Sequence, residues 1–161
     1  MGFDHDEIDA AIRKYLAMRD SIDADGKGEW SRLAEFFTDD AVFIDPAWGR
    51  VEGIDEIRST VLGPAMVGLE DWKFPTDFYA VVGGDTVIVK WRQQIPGADG
   101  KVYEQSGCST MVYAGKGKFR YEEDLLNMAH VMEDLAASAW KPKGGTMNLP
   151  PKHANRDFSG R

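Results

Sequence analysis

Asp45 is the residue whose position in the chain best suits acid/base chemistry. It closes the alternating run 41–45, in which the odd positions share one face of a strand, so Asp45 points the same way as Phe43. If that face borders an apolar cavity, burial raises the pKa of the carboxyl group and lets it remove and return a proton. The alternative is structural, because an Asp that precedes a Pro commonly caps the following turn. We expect Asp45 to act as a base.

A second group of carboxylates lies near the end of the last β-type segment. Three acids follow one another here, Glu122, Glu123 and Asp124. Strand alternation turns inward either Glu123 or the pair Glu122 and Asp124. A carboxylate within reach of Asp45 pushes the pKa values of the two groups apart, which yields an acid and a base. An exposed acidic strand face is the alternative.

Tyr15 is a further candidate, and the helices of the chain decide its surroundings. It lies on an apolar stripe over residues 8–22, whose spacing predicts one long amphipathic helix. Its ring is therefore expected to be buried and its hydroxyl to need a partner, although a plain core tyrosine has the same pattern. Shorter helical patterns occupy residues 30–37 and 54–62, and residues 128–140 predict a last helix.

Most of the remaining chain reads as strands. Four β-type segments, separated by short Gly-containing connections, predict an antiparallel meander over residues 72–82, 86–95, 102–113 and 119–126. In the second segment apolar residues alternate with charged ones, which places Trp91 and Gln93 on the buried face. We expect both to line a pocket, with a plain core role as the alternative for Trp91. Trp48 and Tyr79 are two further expected substrate contacts.

The bulk composition favours a single acidic domain. A chain of 161 residues with 43% hydrophobic residues can build one core, and helices followed by a strand meander are typical of an α+β fold. The net charge of −8 argues against nucleic acid as a partner. The amphipathic start indicates neither secretion nor a membrane span, so we expect a cytoplasmic protein. The three histidines form no metal-binding pattern, and we expect neither a metal nor a cofactor.

The chain changes character after the last predicted helix. Residues 141–161 are rich in Pro, Gly, Lys and Asn and carry a single acid, Asp157. We therefore predict one domain over residues 1–140, followed by an irregular basic tail over residues 141–161. Opposite charge should bring this tail back to the acidic domain, and we expect it to cross the pocket mouth or a neighbouring subunit. A frayed terminus is the alternative.

Two stretches resemble known families. Residues 15–49 resemble the front half of ketosteroid isomerases, with a Tyr on the first helix, the string Phe-Phe-Thr-Asp-Asp-Ala at 36–41, and then Asp45-Pro46 and Gly49. The string Tyr-Glu-Glu-Asp-Leu-Leu-Asn at 121–127 looks like the last strand of SnoaL-like proteins, a branch of the same nuclear transport factor two-like superfamily. The likeness extends over about residues 8–140.

The resemblance implies a cone-shaped α+β fold, in which a bent antiparallel sheet packs on N-terminal helices around an apolar pocket. It implies that Asp45 is the base, that Tyr15 donates to an oxyanion, and that Glu122 and Asp124 face inward. Ser109 stands where the isomerases have a second acidic donor, and we expect it to contact the substrate. A serine supplies less stabilisation to an enolate than a neutral carboxylic acid, which weighs against steroid isomerisation itself.

The resemblance also bears on the type of reaction. Limonene epoxide hydrolases need an Arg between two Asp residues inside the cavity, whereas Arg92 is predicted on the opposite strand face, which weighs against an epoxide hydrolase. The resulting prediction is a cofactor-independent isomerase, dehydratase, lyase or cyclase that transfers a proton on a small apolar, aromatic or polycyclic carbonyl or hydroxyl compound. The alternative is a noncatalytic module of the same fold that binds a small molecule or dimerises. A homodimer through the open sheet is expected, since relatives commonly pair in this way.

Overall fold

The chain begins with one long helix in this computed structural model, which describes residues 2–161. Helix α1, His5–Asp25, begins at Asp4, whose carboxylate accepts hydrogen bonds from the amides of Asp6 and Glu7. It ends at Gly26, which adopts a left-handed φ of 63°. One face is buried, and its residues are Ile8, Ala11, Ile12, Tyr15, Leu16, Arg19 and Ile22.

The other helical elements are short. They are a 3-10 helix at Trp30–Phe36, α2 at Ile54–Ser59, a second 3-10 helix at Pro64–Met66, and α3 at Met128–Ser138. The helix predicted over 54–62 is shorter in the structure, since α2 ends at Ser59 and a turn follows over residues 60–63. Helix α3 begins at Asn127, whose side chain accepts from the amides of Ala129 and His130. Within residues 2–161, no helix is long and apolar enough to cross a membrane.

Six strands form a single sheet in the spatial order β2-β1-β6-β5-β4-β3. Their bounds are β1 Phe37–Asp45, β2 Gly49–Glu52, β3 Thr76–Val82, β4 Thr86–Pro96, β5 Val102–Gly115 and β6 Lys118–Leu126. Strands β3 to β6 pair antiparallel with their sequence neighbours, which confirms the predicted meander. Helices packed on one sheet confirm the α+β class.

Two features of the sheet differ from the prediction. Strand β1 runs parallel to β6, with Phe43 beside Glu122 and Ile44 beside Glu123, so the sheet is mixed and not wholly antiparallel. Residues 49–52, which are not among the predicted strands, form β2 and pair antiparallel with β1. Side-chain alternation reports which face of a strand is buried, but it does not report the direction of the neighbouring strand, and this explains the error.

The inner face of the sheet, on which the helices pack, carries the core. Along β4 every second residue is buried, and the inner side chains include Trp91 and Gln93. Arg92 lies on the outer face, as predicted, where it pairs with Asp77 and Glu104 at 2.9 Å each. Opposite Trp91 in the register is Gly107, at which an added Cβ would lie 2.5 Å from the indole ring. The indole therefore lies against the bare backbone of β5.

The final segment, residues 141–161, contains neither helix nor strand. It nevertheless lies against the domain at several points. Asn148 Nδ2 donates to the carbonyl of Pro64 at 2.8 Å, and the amide of Arg50 donates to the carbonyl of Asn155 at 2.9 Å. At Gly68, an added Cβ would lie 2.4 Å from the carbonyl oxygen of Thr146, so this contact requires a residue without a side chain.

Candidate active site

A cavity of about 480 Å³ lies between the inner face of the sheet and the helices. Most of its wall is apolar, contributed by both 3-10 helices, α3, the final segment and strands β1 and β4. The apolar lining includes Trp30, Leu33, Phe43, Leu62, Met66, Leu69, Trp72, Phe74, Val131, Leu135, Met147 and Leu149. Five ionisable side chains also reach it: Tyr15, Arg19, Asp45, Glu122 and Asp124. An apolar wall with a few convergent polar groups is the usual form of a small-molecule site.

Asp45 lines this cavity at the end of β1. Its Oδ1 accepts hydrogen bonds from the amides of Ala47 and Trp48, both at 2.8 Å, so the residue also caps the turn between β1 and β2. Both interpretations of Asp45 are therefore compatible, because capping engages Oδ1 and leaves Oδ2 available. Burial raises the pKa of Asp45, and the two amide hydrogen bonds oppose that rise only in part.

Asp45 forms no ion pair with the two arginines that could have neutralised it. Arg50 pairs with Glu52 at 2.5 Å, and Arg58 lies 3.6 Å from Asp55. A carboxylate with a raised pKa and no cationic partner fits a proton acceptor better than a structural ion pair.

Glu122 and Tyr15 form a buried pair at the floor of the cavity. The Tyr15 hydroxyl lies 3.0 Å from both carboxyl oxygens of Glu122, which is only 2% exposed. Burial raises the pKa of Glu122 well above its usual value, and the neighbouring Asp124 adds to this rise. Burial thus favours the neutral acid form of Glu122.

Asp124 belongs to a hydrogen-bonded chain that starts at Trp91. The indole Nε1 donates to Ser109 Oγ at 2.8 Å, and Ser109 Oγ donates to Asp124 Oδ1 at 2.5 Å. Burial raises the pKa of Asp124 to about 6, and the Ser109 hydrogen bond acts against that rise. These two hydrogen bonds explain why a tryptophan, a serine and an aspartate occupy neighbouring strands.

The parallel pairing of β1 and β6 brings the carboxylates together. In this register Phe43 is beside Glu122 and Ile44 is beside Glu123, and the next position along each strand is Asp45 on β1 and Asp124 on β6. Glu122 and Asp124 both line the cavity, whereas the Glu123 carboxylate accepts from the Tyr121 hydroxyl at 2.5 Å. Strand alternation left open whether Glu123 or the pair Glu122 and Asp124 faces inward, and in the structure the pair does.

Arg19 is a site residue that was not predicted from the sequence. It lines the cavity, is only 7% exposed, and its guanidinium carbon lies 5.4 Å from the centre of the Trp91 ring. A signal was present, since Arg19 lies four residues after Tyr15 and three before Ile22, on the buried stripe of α1. A charged residue on the apolar stripe of a helix thus indicates a site residue, just as a charged residue on a cavity-facing strand does.

Two expected substrate contacts are corrected by the structure. Tyr79 does not line the cavity, because its hydroxyl donates to Asp9 of α1 at 2.7 Å, away from the site. Ser109 does not line it either; it is buried, and its hydroxyl is engaged by Asp124 and Trp91. Alternation identifies the face of a strand, but it does not show how far along the strand a cavity extends or which neighbours fill it.

The other expected contacts reach the cavity. Trp48, Trp91 and Gln93 all line it. Gln93 Nε2 donates to Gln105 Oε1 at 2.9 Å, and Gln105 Nε2 donates to Asp134 of α3 at 2.8 Å, so the Gln93 side chain is held from behind. Such support fixes the orientation of a polar group that faces a ligand.

Comparison with solved structures identifies the fold. An NTF2-like protein from Anabaena variabilis ATCC 29413 has a TM-score of 0.60 at 15% identity, covering 79% of this chain and 94% of that chain. A candidate SnoaL-like polyketide cyclase from Jannaschia sp. CCS1 has a TM-score of 0.57 at 17% identity, with 77% and 93% covered. The epoxide hydrolase/cyclase-like enzyme SalBIII, which has a role in pyran-ring formation in the polyether salinomycin, has a TM-score of 0.56 at 13% identity, with 79% and 95% covered. At such identities the likeness concerns the fold, which is nuclear transport factor two-like.

Within that fold class, the chain belongs to the SnoaL-like domain family. The family match spans residues 18–121, well over half of the chain. Arg19, Asp45 and Trp91 fall inside the matched range, whereas Tyr15 and Asp124 lie just outside it. No curated protein matches the chain at a significant level.

Proposed function

We propose that this protein is a cofactor-independent acid/base enzyme of the isomerase, dehydratase, lyase or cyclase type. Its substrate is a small, largely apolar carbonyl or hydroxyl compound with an aromatic or polycyclic body. One observation carries the proposal: a carboxylate without a cationic partner, Asp45, and a buried acid, Glu122, face the same apolar cavity.

The proposed reaction begins with proton removal by Asp45. Its Oδ2 takes a proton from the carbon next to the substrate carbonyl, and the electron pair of that C–H bond moves onto the carbonyl oxygen. The resulting enolate oxygen accepts one hydrogen bond from the Glu122 carboxylic acid, which the Tyr15 hydroxyl holds in place. Preorganised donors in an apolar cavity stabilise such an oxyanion more than water does.

The fate of the proton then separates the reaction types. Return of the proton from Asp45 to a different carbon gives isomerisation, and loss of a hydroxyl group as water gives dehydration. Attack of the enolate carbon on a second carbonyl closes a ring, with Asp124 as the acid that protonates the new alkoxide. All of these share the first proton transfer, so that step is the one to measure.

Hydrogen exchange tests the first step without knowledge of the natural substrate. A panel of bicyclic and tricyclic ketones is incubated with the protein in D₂O, and loss of the proton next to the carbonyl is followed by NMR. We expect exchange with at least one ketone, and Asp45→Asn to slow it by roughly 100-fold or more. Asp39→Asn, an exposed carboxylate on the same strand, is the control.

Two outcomes count against the proposal. Equal exchange in the wild-type protein and Asp45→Asn removes Asp45 from the role of base. Tight binding of ketones, seen by tryptophan fluorescence, with no exchange for any of them supports the noncatalytic binding module instead.

Epoxide opening is a second candidate, and Arg19 is the observation that favours it. The position of Arg92 on the outer face weighs against this reaction, but Arg19 places a guanidinium in the cavity that holds Asp45 and Asp124. In this reaction a carboxylate takes a proton from an attacking water, and a protonated acid returns one to the epoxide oxygen. Conversion of styrene oxide to its diol, lost in Asp124→Asn, supports this candidate.

Two further proposals concern the assembly of the protein and its location in the cell. We propose a homodimer, supported by the exposure of Phe78 and Val82 on β3, and a cytoplasmic location. One chain has a mass of 17.9 kDa, so sedimentation at micromolar concentration separates monomer from dimer.

A further inference from the structure

The Arg19 guanidinium has no charged partner and no hydrogen-bond acceptor within residues 2–161. The residue is 7% exposed, no carboxylate oxygen lies within 4 Å of its nitrogens, and none of its side-chain N–H groups donates a hydrogen bond to the protein. The face of the Trp91 ring lies 5.4 Å from the guanidinium carbon. The side chain is therefore held in place on the cavity wall with its donors unused.

Donors left unused on a cavity wall need water or a ligand to complete their hydrogen bonds. A guanidinium carries five N–H donors in a planar fork and stays charged at any pH a protein tolerates. Buried polar groups are almost always hydrogen-bonded, and buried charges are almost always paired. Stacking on Trp91 recovers part of the cost, since a cation above an indole face is attracted to it, but it satisfies none of the N–H groups.

The nearby acids do not supply the missing partner. Glu122 is engaged by Tyr15, and Asp124 is engaged by Ser109. Arg19 lowers the pKa values of Glu122, Asp124 and Asp23 by attraction, yet all three values remain raised because burial outweighs it.

We propose that Arg19 binds a carboxylate carried by the substrate, and that the substrate class is therefore an apolar, aromatic or polycyclic acid. This inference deepens the proposed function and rests on it in one respect, since only an enzyme has a substrate. The binding itself does not require catalysis. A carboxylate presents two coplanar oxygens that match the guanidinium fork. The apolar body then lies along the wall formed by Trp72, Leu69 and Leu135, with Asp45 beside it.

The test uses two unreactive ligands of equal shape, 2-naphthoate and 2-naphthamide, neither of which has a hydrogen on a carbon next to its carbonyl. Binding is measured by calorimetry at pH 7.5 in low salt. We expect the wild-type protein to bind the naphthoate at least tenfold more tightly than the amide, and Arg19→Gln to abolish that preference. Arg19→Lys should retain only part of it, because an ammonium group is a point charge without the fork.

Internal controls guard against a misfolded variant. Arg32→Gln changes an exposed arginine, with 43% of its side chain accessible, and should leave the preference intact. Affinity for 2-naphthamide should stay within about threefold in Arg19→Gln, which shows that the cavity has kept its shape. If Arg19→Gln also loses affinity for 2-naphthamide, Arg19→Lys is the deciding variant. A naphthoate preference in Arg19→Lys above that of Arg19→Gln supports the carboxylate site, and no such difference contradicts it.

Clear results would overturn the inference. Equal wild-type affinity for the two ligands, binding of neither at millimolar concentration, or a preference retained in Arg19→Gln each exclude a carboxylate site at Arg19. A naphthoate preference in the wild-type protein without hydrogen exchange on any ketone would leave the anion site standing and remove the proposed enzyme.

Discussion

At the scale of single residues, the chemistry depends on neighbouring carboxyl groups that differ in surroundings. Asp45 combines a turn-capping oxygen with a free oxygen on the cavity wall. Glu122 is buried behind the Tyr15 hydroxyl, and Asp124 is held by Ser109. Groups whose pKa values are pushed apart by their environments are the usual source of an acid and a base in one site.

Asp124 makes stability depend on pH in a direction that can be measured. Its pKa is raised to about 6 from 3.8 by burial, so the folded state holds this proton more tightly than the unfolded state does. Its favourable contribution is therefore present at low pH and is lost as the pH rises from about 4 through 6. The rise corresponds to about 3 kcal/mol of destabilisation at neutral pH.

We expect Asp124→Asn to remove this dependence. The variant should gain stability relative to the wild-type protein as the pH is raised from 4 to 7, and Asn can still accept the Ser109 hydrogen bond. Urea unfolding at several pH values measures the difference, with Asp39→Asn as the exposed control. A difference in unfolding free energy between variant and wild type that stays constant over this range would contradict a raised pKa for Asp124.

At the scale of elements, the contact between β4 and β5 sets the position of Trp91. The indole lies against Gly107, donates to Ser109 and stacks below Arg19. The absence of a side chain at Gly107 thus lets Trp91 support both the acid Asp124, through Ser109, and the cation Arg19. Any group added at this position must displace the ring.

We expect Gly107→Ala to cost about 1–3 kcal/mol of stability, because its Cβ would lie 2.5 Å from the indole. The same change should alter tryptophan fluorescence and weaken the naphthoate preference. Chemical unfolding measures the first effect. In a Trp91→Leu background the cost of Gly107→Ala should shrink, because the smaller side chain relieves the clash. An equal cost in both backgrounds would place its origin elsewhere in the strand.

At the scale of the whole molecule, the final segment covers part of the cavity. Met147, Asn148, Leu149 and Pro150 line it, and the chain beyond them lies against β2, where Arg50 donates to the carbonyls of Asp157 and Ser159. This arrangement supports the prediction that residues 141–161 form a strap across the pocket mouth. Water excluded by such a strap would strengthen the electrostatic interactions inside.

We expect removal of residues 141–161 to weaken 2-naphthamide binding by about tenfold and to lower the melting temperature by several degrees, since apolar wall and backbone hydrogen bonds are lost together. Calorimetry and thermal unfolding give both quantities. The full-length Arg156→Gln variant, which reduces the tail charge alone, serves as the control. A truncated protein with wild-type melting temperature, oligomeric state and affinity would make the segment a passive end.

The amino-acid sequence by itself determined the long first helix, the four-strand meander and the α+β class, because periodicities of 3.6 and 2 directly report buried faces. It also indicated the face on which Asp45 lies. It could not determine the contacts that cross between distant elements. The parallel pairing of β1 with β6, which puts Asp45 beside Asp124, has no signature in alternation.

Only the tertiary structure decided the remaining features of the site. Arg19 reaches the cavity because the packing of α1 places its guanidinium over the Trp91 ring, and Tyr79 does not reach it because its hydroxyl donates to Asp9. The strand β2 depends on pairing with β1, which local propensity does not encode. Local pattern states which side of an element avoids water, whereas packing of elements far apart in the chain decides which polar groups then meet there.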